Sequence, residues 1–378
     1  MCDNRTVARE ATETAHDLGR RIAQGRREAG LTQADLADAI GVDRTAVAKM
    51  EKGVRKVSAI ELMATAAALD RPVDWLVTES PPAVVSRRQD SGVGGRSRSL
   101  DGVVERISRD VEFLLGERLL LQRERISLEI PTDYGGCEAL ARTARSLMGV
   151  PGGPLTDLQR AVERVGLLGF SLDLGTDGGD GAYVSLDGWG VAVVNGHVEP
   201  GRRRFNLAHE LGHHLVGDAY APEVVVLADD ETERMLNAFV AHLLMPREDV
   251  AKTWQDFAES DRRLGVLAIA TRFRTSWTTA CGHLVNLGLF DHEDYEHFID
   301  DPPRSGDFVA LGEQWVAELD PPNVPPDYGR RIVRAYRSGK VTAAKAVELL
   351  WGTIEEADLP EPLEIPLAAV RREFEPLR

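Results

Sequence analysis

Apolar positions recur at helical spacing over most of this chain, and strand-like alternation is confined to one short stretch. Residues 17–79 divide into five short amphipathic runs separated by turn residues. From 80 to 100 (SPPAVVSRRQDSGVGGRSRSL) periodicity stops and Ser, Gly, Pro and Arg take over, the composition of a linker. Val104, Ile107, Val111, Leu114 and Leu121 then place a helix over about 102–126, packed on its own chain rather than paired as a dimerising coil. Further helices are expected near 137–148 and 155–165. Two strands follow at 182–186 and 191–194 around a tight Asp187-Gly188 turn. The Gly-rich 175–181 (GTDGGDG) is a loop and not a phosphate cradle, because it has no Lys-Ser/Thr ending and no following helix. Helical spacing resumes at 204–216 and at 231–245, where Pro246 stops it. A helix–turn–helix-like pattern occupies 260–290, a Pro-rich irregular stretch 301–327, and a helical pattern 328–357.

The pattern predicts a mainly α, multidomain chain. It comprises a five-helix domain at 15–79, a flexible linker at 80–101 and a connecting helix at 102–130. An α+β domain with a small sheet follows at 131–300, then a helical region at 301–378. A length of 378 residues exceeds one ordinary core. The aromatic share of 6% favours helices over a β-sandwich. Cys2, Cys137 and Cys281 are few, odd in number and widely spaced, which excludes a disulfide framework and a cysteine zinc site. The polar N-terminus has no signal-peptide core, and no uncharged apolar run approaches about 18 residues. A cytoplasmic chain that does not enter a membrane is expected.

The net charge of −16 argues against nonspecific coating of nucleic acid, but its distribution is uneven. Residues 17–98 carry 14 Lys+Arg against 11 Asp+Glu, and residues 99–378 carry 29 against 47. Any DNA contact must therefore come from the N-terminal part.

That part contains QADLADAIGVDRTAVAKMEK, beginning at Gln33. Ala37 is small where two steeply crossed helices touch, and Gly41 tolerates the positive φ of a tight turn. Val47 fills the angle between the helices, Leu36, Ile40 and Leu62 add core, and Thr32 is a helix N-cap. The helix over 43–51 would enter the major groove of double-stranded DNA with Arg44, Thr45, Ala46 and Lys49 nearest the base edges. Five basic residues stand against Glu51 between Arg44 and Lys56. Residues 17–79 as a whole balance ten against ten, so tight operator binding calls for a homodimer. The stretch LTQADLADAIGVDRTAVAKMEKG resembles the Cro/repressor (XRE-type) helix-turn-helix family. The resemblance implies a five-helix fold and a phosphate-facing Gln33.

A different chemistry is written at 209–213, His-Glu-Leu-Gly-His. On a helix His209 and His213 are four residues apart and present both imidazoles to one ion. Glu210, beside the first histidine, is placed to act as general base. Glu233, on the next helix, supplies a third ligand and leaves a fourth position open, the arrangement of catalytic zinc, with manganese or iron also accommodated. Asn237 shares the face of Glu233. The strands ahead of this helix provide a sheet edge suited to an extended substrate. Val216 and Ala219 stand where a metzincin needs Gly and a third His. His214, about 100° round the helix, is read as a surface or supporting residue. His242, His283, His292 and His297 lack paired spacing, and Trp277 and Cys281 are read as core.

RRFNLAHELGHHLVGD followed by ETERMLNAFVAHLLMP resembles the ImmA/IrrE metallopeptidases. The resemblance implies a gluzincin-like fold, with His209, His213 and Glu233 as ligands and Glu210 as base. It also implies a protein substrate, often a repressor of stress or mobile-element genes. Asn206, Leu236 and Val240 depart from the family pattern, and Leu236 threatens to crowd a helix contact. The function expected is a DNA-binding regulator with zinc endopeptidase activity that cuts a partner repressor. The alternative is a non-enzymatic transcription factor or antitoxin that keeps the peptidase fold as a sensor or dimerisation platform.

Overall fold

The computed structural model describes residues 4–69, 73–77, 86–88, 98–176, 178–186, 188–217, 230–257, 259–312 and 316–363. The chain divides into two compact units, Met1–Pro81 and Pro82–Arg378.

The first unit holds α1 (Asn4–Glu28), α2 (Gln33–Ile40), α3 (Arg44–Glu51), α4 (Ala59–Ala68) and α5 (Val73–Val77). The first helix is longer than the short one expected from residue 17, because helix-compatible residues continue back to Asn4. Helix α2 opens with a capping box: Thr32 accepts from the Asp35 N–H while Asp35 accepts from the Thr32 N–H. It closes on Gly41 at φ 71°, where a side chain would be strained. Ile22, Leu36, Ala37, Val47 and Met50 are buried together, and Ile40 and Leu62 pack at the margin. Each large apolar side chain buried there contributes about 2 kcal/mol before chain entropy is counted.

In the second unit β1 (Ser86–Arg88), α6 (Arg98–Gly116), α7 (Tyr134–Leu147) and α8 (Leu158–Arg164) come first. The strands β2 (Leu167–Leu172), β3 (Gly181–Ser185) and β4 (Gly190–Asn195) follow, then α9 (Pro200–Val216) and α10 (Asp230–Leu244). The remaining helices are α11 (Arg247–Gln255), α12 (Arg262–Phe273), α13 (Trp277–Asn286), α14 (His292–Ile299), α15 (Ser305–Leu311), α16 (Pro326–Arg337) and α17 (Ala343–Leu349).

The sheet runs β1-β3-β4-β2, with β2 parallel to β4 and the other pairs antiparallel. Both faces are covered. Tyr183, Ala192 and Val194 face one core with Leu207 and Leu211 of α9 and Phe239 of α10. Ala182, Val184, Val191 and Val193 face the other, with Val104, Ile107 and Val111 of α6 and Tyr328 and Ile332 of α16.

Three expectations need correction. The helix predicted to 126 stops at Gly116, leaving Leu121 exposed. The irregular 301–327 contains α15. The sheet has two further strands: β2 (LLGFSL) is buried at every position and so shows no alternation to read, and β1 lies inside the stretch read as linker.

The N-terminus of α9 is anchored at long range. Buried Arg204 donates to the Leu155 carbonyl at 2.9 Å and pairs with Glu318, which also binds Arg274. On the opposite core, Glu163 of α8 accepts the Asp327 and Tyr328 N–H groups at 2.9 and 2.7 Å, satisfying the free donors that open α16.

Candidate metal centre and nucleic-acid interface

Helix α9 runs beneath β3 and β4 and places His209, Glu210 and His213 in the interior. Helix α10 packs beside it and brings Glu233, one-third exposed, to the two imidazoles. The two Nε2 atoms stand 3.1 Å apart. His209 Nε2 is 3.1 Å from Glu233 Oε2, and His213 Nε2 is 3.5 Å from Glu233 Oε1. Donors about 2.1 Å from one tetrahedral ion would be spaced at about 3.4 Å, so this set fits zinc. Glu233 reaches solvent while the histidines do not, which suits a centre with one accessible side.

Glu210 is fully buried. A Cβ built on Gly181 would stand 3.3 Å from Glu210 Oε1 and 3.1 Å from the Val193 carbonyl oxygen, so glycine at the start of β3 gives the carboxylate its room. One turn earlier on α9, the buried Asn206 donates to the Asp180 carbonyl at 3.3 Å. Gly181 and Asp180 were not legible as site residues, because nothing in local spacing links them to a helix more than twenty residues away.

His214 is not a surface residue. It accepts from the Tyr183 hydroxyl at Nδ1 and donates from Nε2 to the Val165 carbonyl, both at 3.1 Å. Burial pushes its pKa down to about 4, which keeps the ring in that neutral tautomer. It supports the fold behind the centre and lies outside the ligand cluster. Asn237 is half-buried, and its Oδ1 has no hydrogen-bond partner among the described residues.

The remaining histidines go elsewhere. His283 bonds the Met245 carbonyl at 2.8 Å and meets His242 edge-on, while His292 and His297 lie on α14. Trp277 and Cys281 are core, as expected, and α12 is buried along most of its length. Departure at Leu236 is accommodated by Gly212, where a Cβ would come within 3.0 Å of Leu236 Cδ2. A cavity of about 640 Å³ adjoins the first turns of α9, between Phe205, Asn206 and Trp277. None of the metal-centre residues lines it.

In the first unit α3 begins at the N-cap Asp43, whose carboxylate accepts the Ala46 N–H at 2.8 Å. Arg44, Thr45 and Lys49 are exposed along this helix. Ala46, expected on the same exposed face, is the correction: it is 9% exposed and packs inward. Gln33 is half-buried and donates to Glu51 at 2.7 Å, and Glu51 is also bridged by Arg26. That clamp ties the start of α2 to the end of α3 and holds their crossing angle.

Comparison with known proteins agrees with both halves. Residues 22–76 match the family described as helix-turn-helix, and residues 162–284 match the IrrE N-terminal-like domain. The chain thus joins a helix-turn-helix domain to a metallopeptidase-like domain. It is 31% identical over 117 residues to the radiation response metalloprotease IrrE of Deinococcus radiodurans, covering 26% of this chain and 34% of that protein. The match thus spans about a third of the length of that relative. Among solved structures, the restriction-modification controller protein C.AhdI from Aeromonas hydrophila is 35% identical, over 16% of this chain and 94% of its own, with a TM-score of 0.16. Bacillus thuringiensis PlcR, solved with the peptide PapR7 and DNA, is 11% identical, over 89% of this chain and 92% of its own, at a TM-score of 0.18. Among the described residues, no helix is long and apolar enough to cross a membrane.

Proposed function

We propose that this chain is a DNA-binding regulator whose second unit is a zinc-dependent endopeptidase acting on a regulatory protein. The observation that carries the reading is the convergence of His209, His213 and Glu233 beside a buried Glu210. Three ligands would serve a structural site as well, and the buried carboxylate next to them is what proton transfer to and from a water requires.

In this reading His209, His213 and Glu233 hold the ion, and zinc when bound polarises the scissile carbonyl. Glu210 orients a water by hydrogen bond, takes its proton and delivers it to the departing nitrogen. Burial strengthens that transfer, because few waters compete for the carboxylate. The exposed face of α3 gives the first unit its operator contacts, Arg44 and Thr45 near the bases and Lys49 toward phosphate. Manganese or iron suits the same ligands.

Metal analysis together with a cleavage assay tests the proposal. Purified protein should carry about one zinc per chain. His213→Ala and Glu233→Ala should lose most of it, whereas His214→Ala, once shown folded by circular dichroism, should retain it. Glu210→Gln should keep zinc and lose at least about 100-fold in Glu-dependent cleavage of casein or a co-encoded repressor. Equal zinc retention in all three alanine variants, or undiminished cleavage by Glu210→Gln, overturns the reading.

A further inference from the structure

The strand beside Glu210 is β3, and its outer edge is already taken. Ser86–Arg88 pairs with it in antiparallel register: Ser86 opposite Tyr183, Arg87 opposite Ala182, Arg88 opposite Gly181. Strand β1 also approaches α9, the helix that carries His209, Glu210 and His213. An extended peptide binds a sheet by adding to an exposed edge through main-chain hydrogen bonds, so this is where a peptidase substrate would lie. Gly181 makes the placement more specific. Its missing side chain admits the Glu210 carboxylate, and residues directly opposite across an antiparallel pair have Cα atoms about 5 Å apart. The Arg88 backbone is therefore held one strand spacing from the glycine that the Glu210 carboxylate touches.

We propose that Ser86–Arg88 is a substrate of the chain itself, cut in cis at the metal centre, so that hydrolysis severs the helix-turn-helix unit from the rest. The inference rests on the endopeptidase reading above. One water adds across a peptide bond of this segment: its hydroxyl goes to the carbonyl carbon and the C–N bond breaks. Glu210 relays the water proton to the departing nitrogen, leaving a carboxylate on the N-terminal fragment and an amine on the other. No oxidant or further reactant is needed. The chain divides into its two compact units between Pro81 and Pro82, a few residues before this segment, so a cut here leaves the core of each unit whole.

The test uses the zinc-loaded full chain, followed by intact-mass spectrometry. Two fragments should appear, divided within Ser86–Arg88, at a first-order rate unchanged over a 100-fold range of protein concentration. Glu210→Gln should stay intact. Arg88→Pro removes a backbone N–H from the ladder, opposite Gly181, and should slow the cut at least about 10-fold. Hydrogen exchange on the uncut Glu210→Gln chain gives a readout that needs no activity. The amides of Ser86 and Arg88, opposite Tyr183 and Gly181, should be protected, and adding Arg88→Pro should abolish the protection at Ser86. If casein is cut in a Glu210-dependent way while the chain stays whole, the inference fails and the endopeptidase reading stands. If neither is cut, both fail. A cut outside the segment, or a rate that rises with concentration, also overturns self-cleavage in cis.

Discussion

At the residue scale, this unit buries several titratable groups outside the metal centre, and they give it a pH signature. His283 sits against His242 and bonds the Met245 carbonyl, with Arg247 and Glu138 nearby. Burial, reinforced by the His242 charge, pushes its pKa down to about 3 from an ordinary 6.5. Above 6.5 both folded and unfolded chains hold it neutral, so nothing is lost. Below that only the unfolded chain takes up the proton, and stability falls until the folded pKa is reached. By pH 5 the loss from this one side chain is about 2 kcal/mol. Urea denaturation of wild type and His283→Asn at pH 7 and pH 5 checks it: the variant should lose about 2 kcal/mol less between the two. Identical losses would mean that His283 does not titrate during unfolding. The same physics explains why its role was unreadable. A histidine without paired spacing offers no clue to whether it meets a carbonyl or a solvent face.

At the scale of elements, what the sequence revealed follows from how each element is exposed. Helix α2 was legible from Thr32 to Gly41 because capping and positive φ are local requirements. Strands β3 and β4 were legible from the Asp187-Gly188 signal in the sequence, of which Asp187 lies outside the described residues, whereas β2 had no polar face to betray it. The juxtaposition of His209, His213 and Glu233 was legible because the histidines are one turn apart and Glu233 lies on the helix after them. Gly212 within that motif reads as a spacer between ligands, yet it is also the contact point of α9 with α10. There Leu236 and Phe239 leave about 3 Å for any added carbon. Gly212→Ala should cost about 1–3 kcal/mol through overpacking, despite the better helix propensity of alanine. Leu236→Ala should cost a similar amount by opening a cavity. The double variant should be more stable than the sum of the two losses by at least about 1 kcal/mol, since each change relieves the other. Thermal melts of the four proteins decide it, and simple additivity would show that the contact is not what keeps glycine at 212.

The whole molecule joins a near-neutral first unit to a strongly acidic remainder, and this bears on the proposed binding of DNA. Residues 99–378 hold 47 Asp+Glu against 29 Lys+Arg, while α3 and its flank are locally basic. In the proposed reading, phosphates drawn to Arg44 and Lys49 would be repelled by acidic groups within a Debye length, about 10 Å at 0.1 M salt and about 30 Å at 0.01 M. A fragment ending at Arg88 should therefore bind nonspecific duplex more tightly than the full chain at low salt, and the difference should shrink as salt rises. Specific binding responds differently. On an operator selected from a random duplex pool by the full chain, Arg44→Ala should cost about 1–3 kcal/mol and relax preference at one base pair. Lys49→Ala should weaken all sequences alike and reduce the salt slope by about one. Ala46→Gly should lower stability with little change in base preference, because that side chain packs inward. Fluorescence anisotropy across a salt series separates these outcomes. If neither the full chain nor the fragment binds any duplex at 0.01 M salt, the first unit is no DNA reader. If both bind with equal affinity there, the acidic unit exerts no field on the interface, and cutting the linker would leave electrostatic control of DNA binding unchanged.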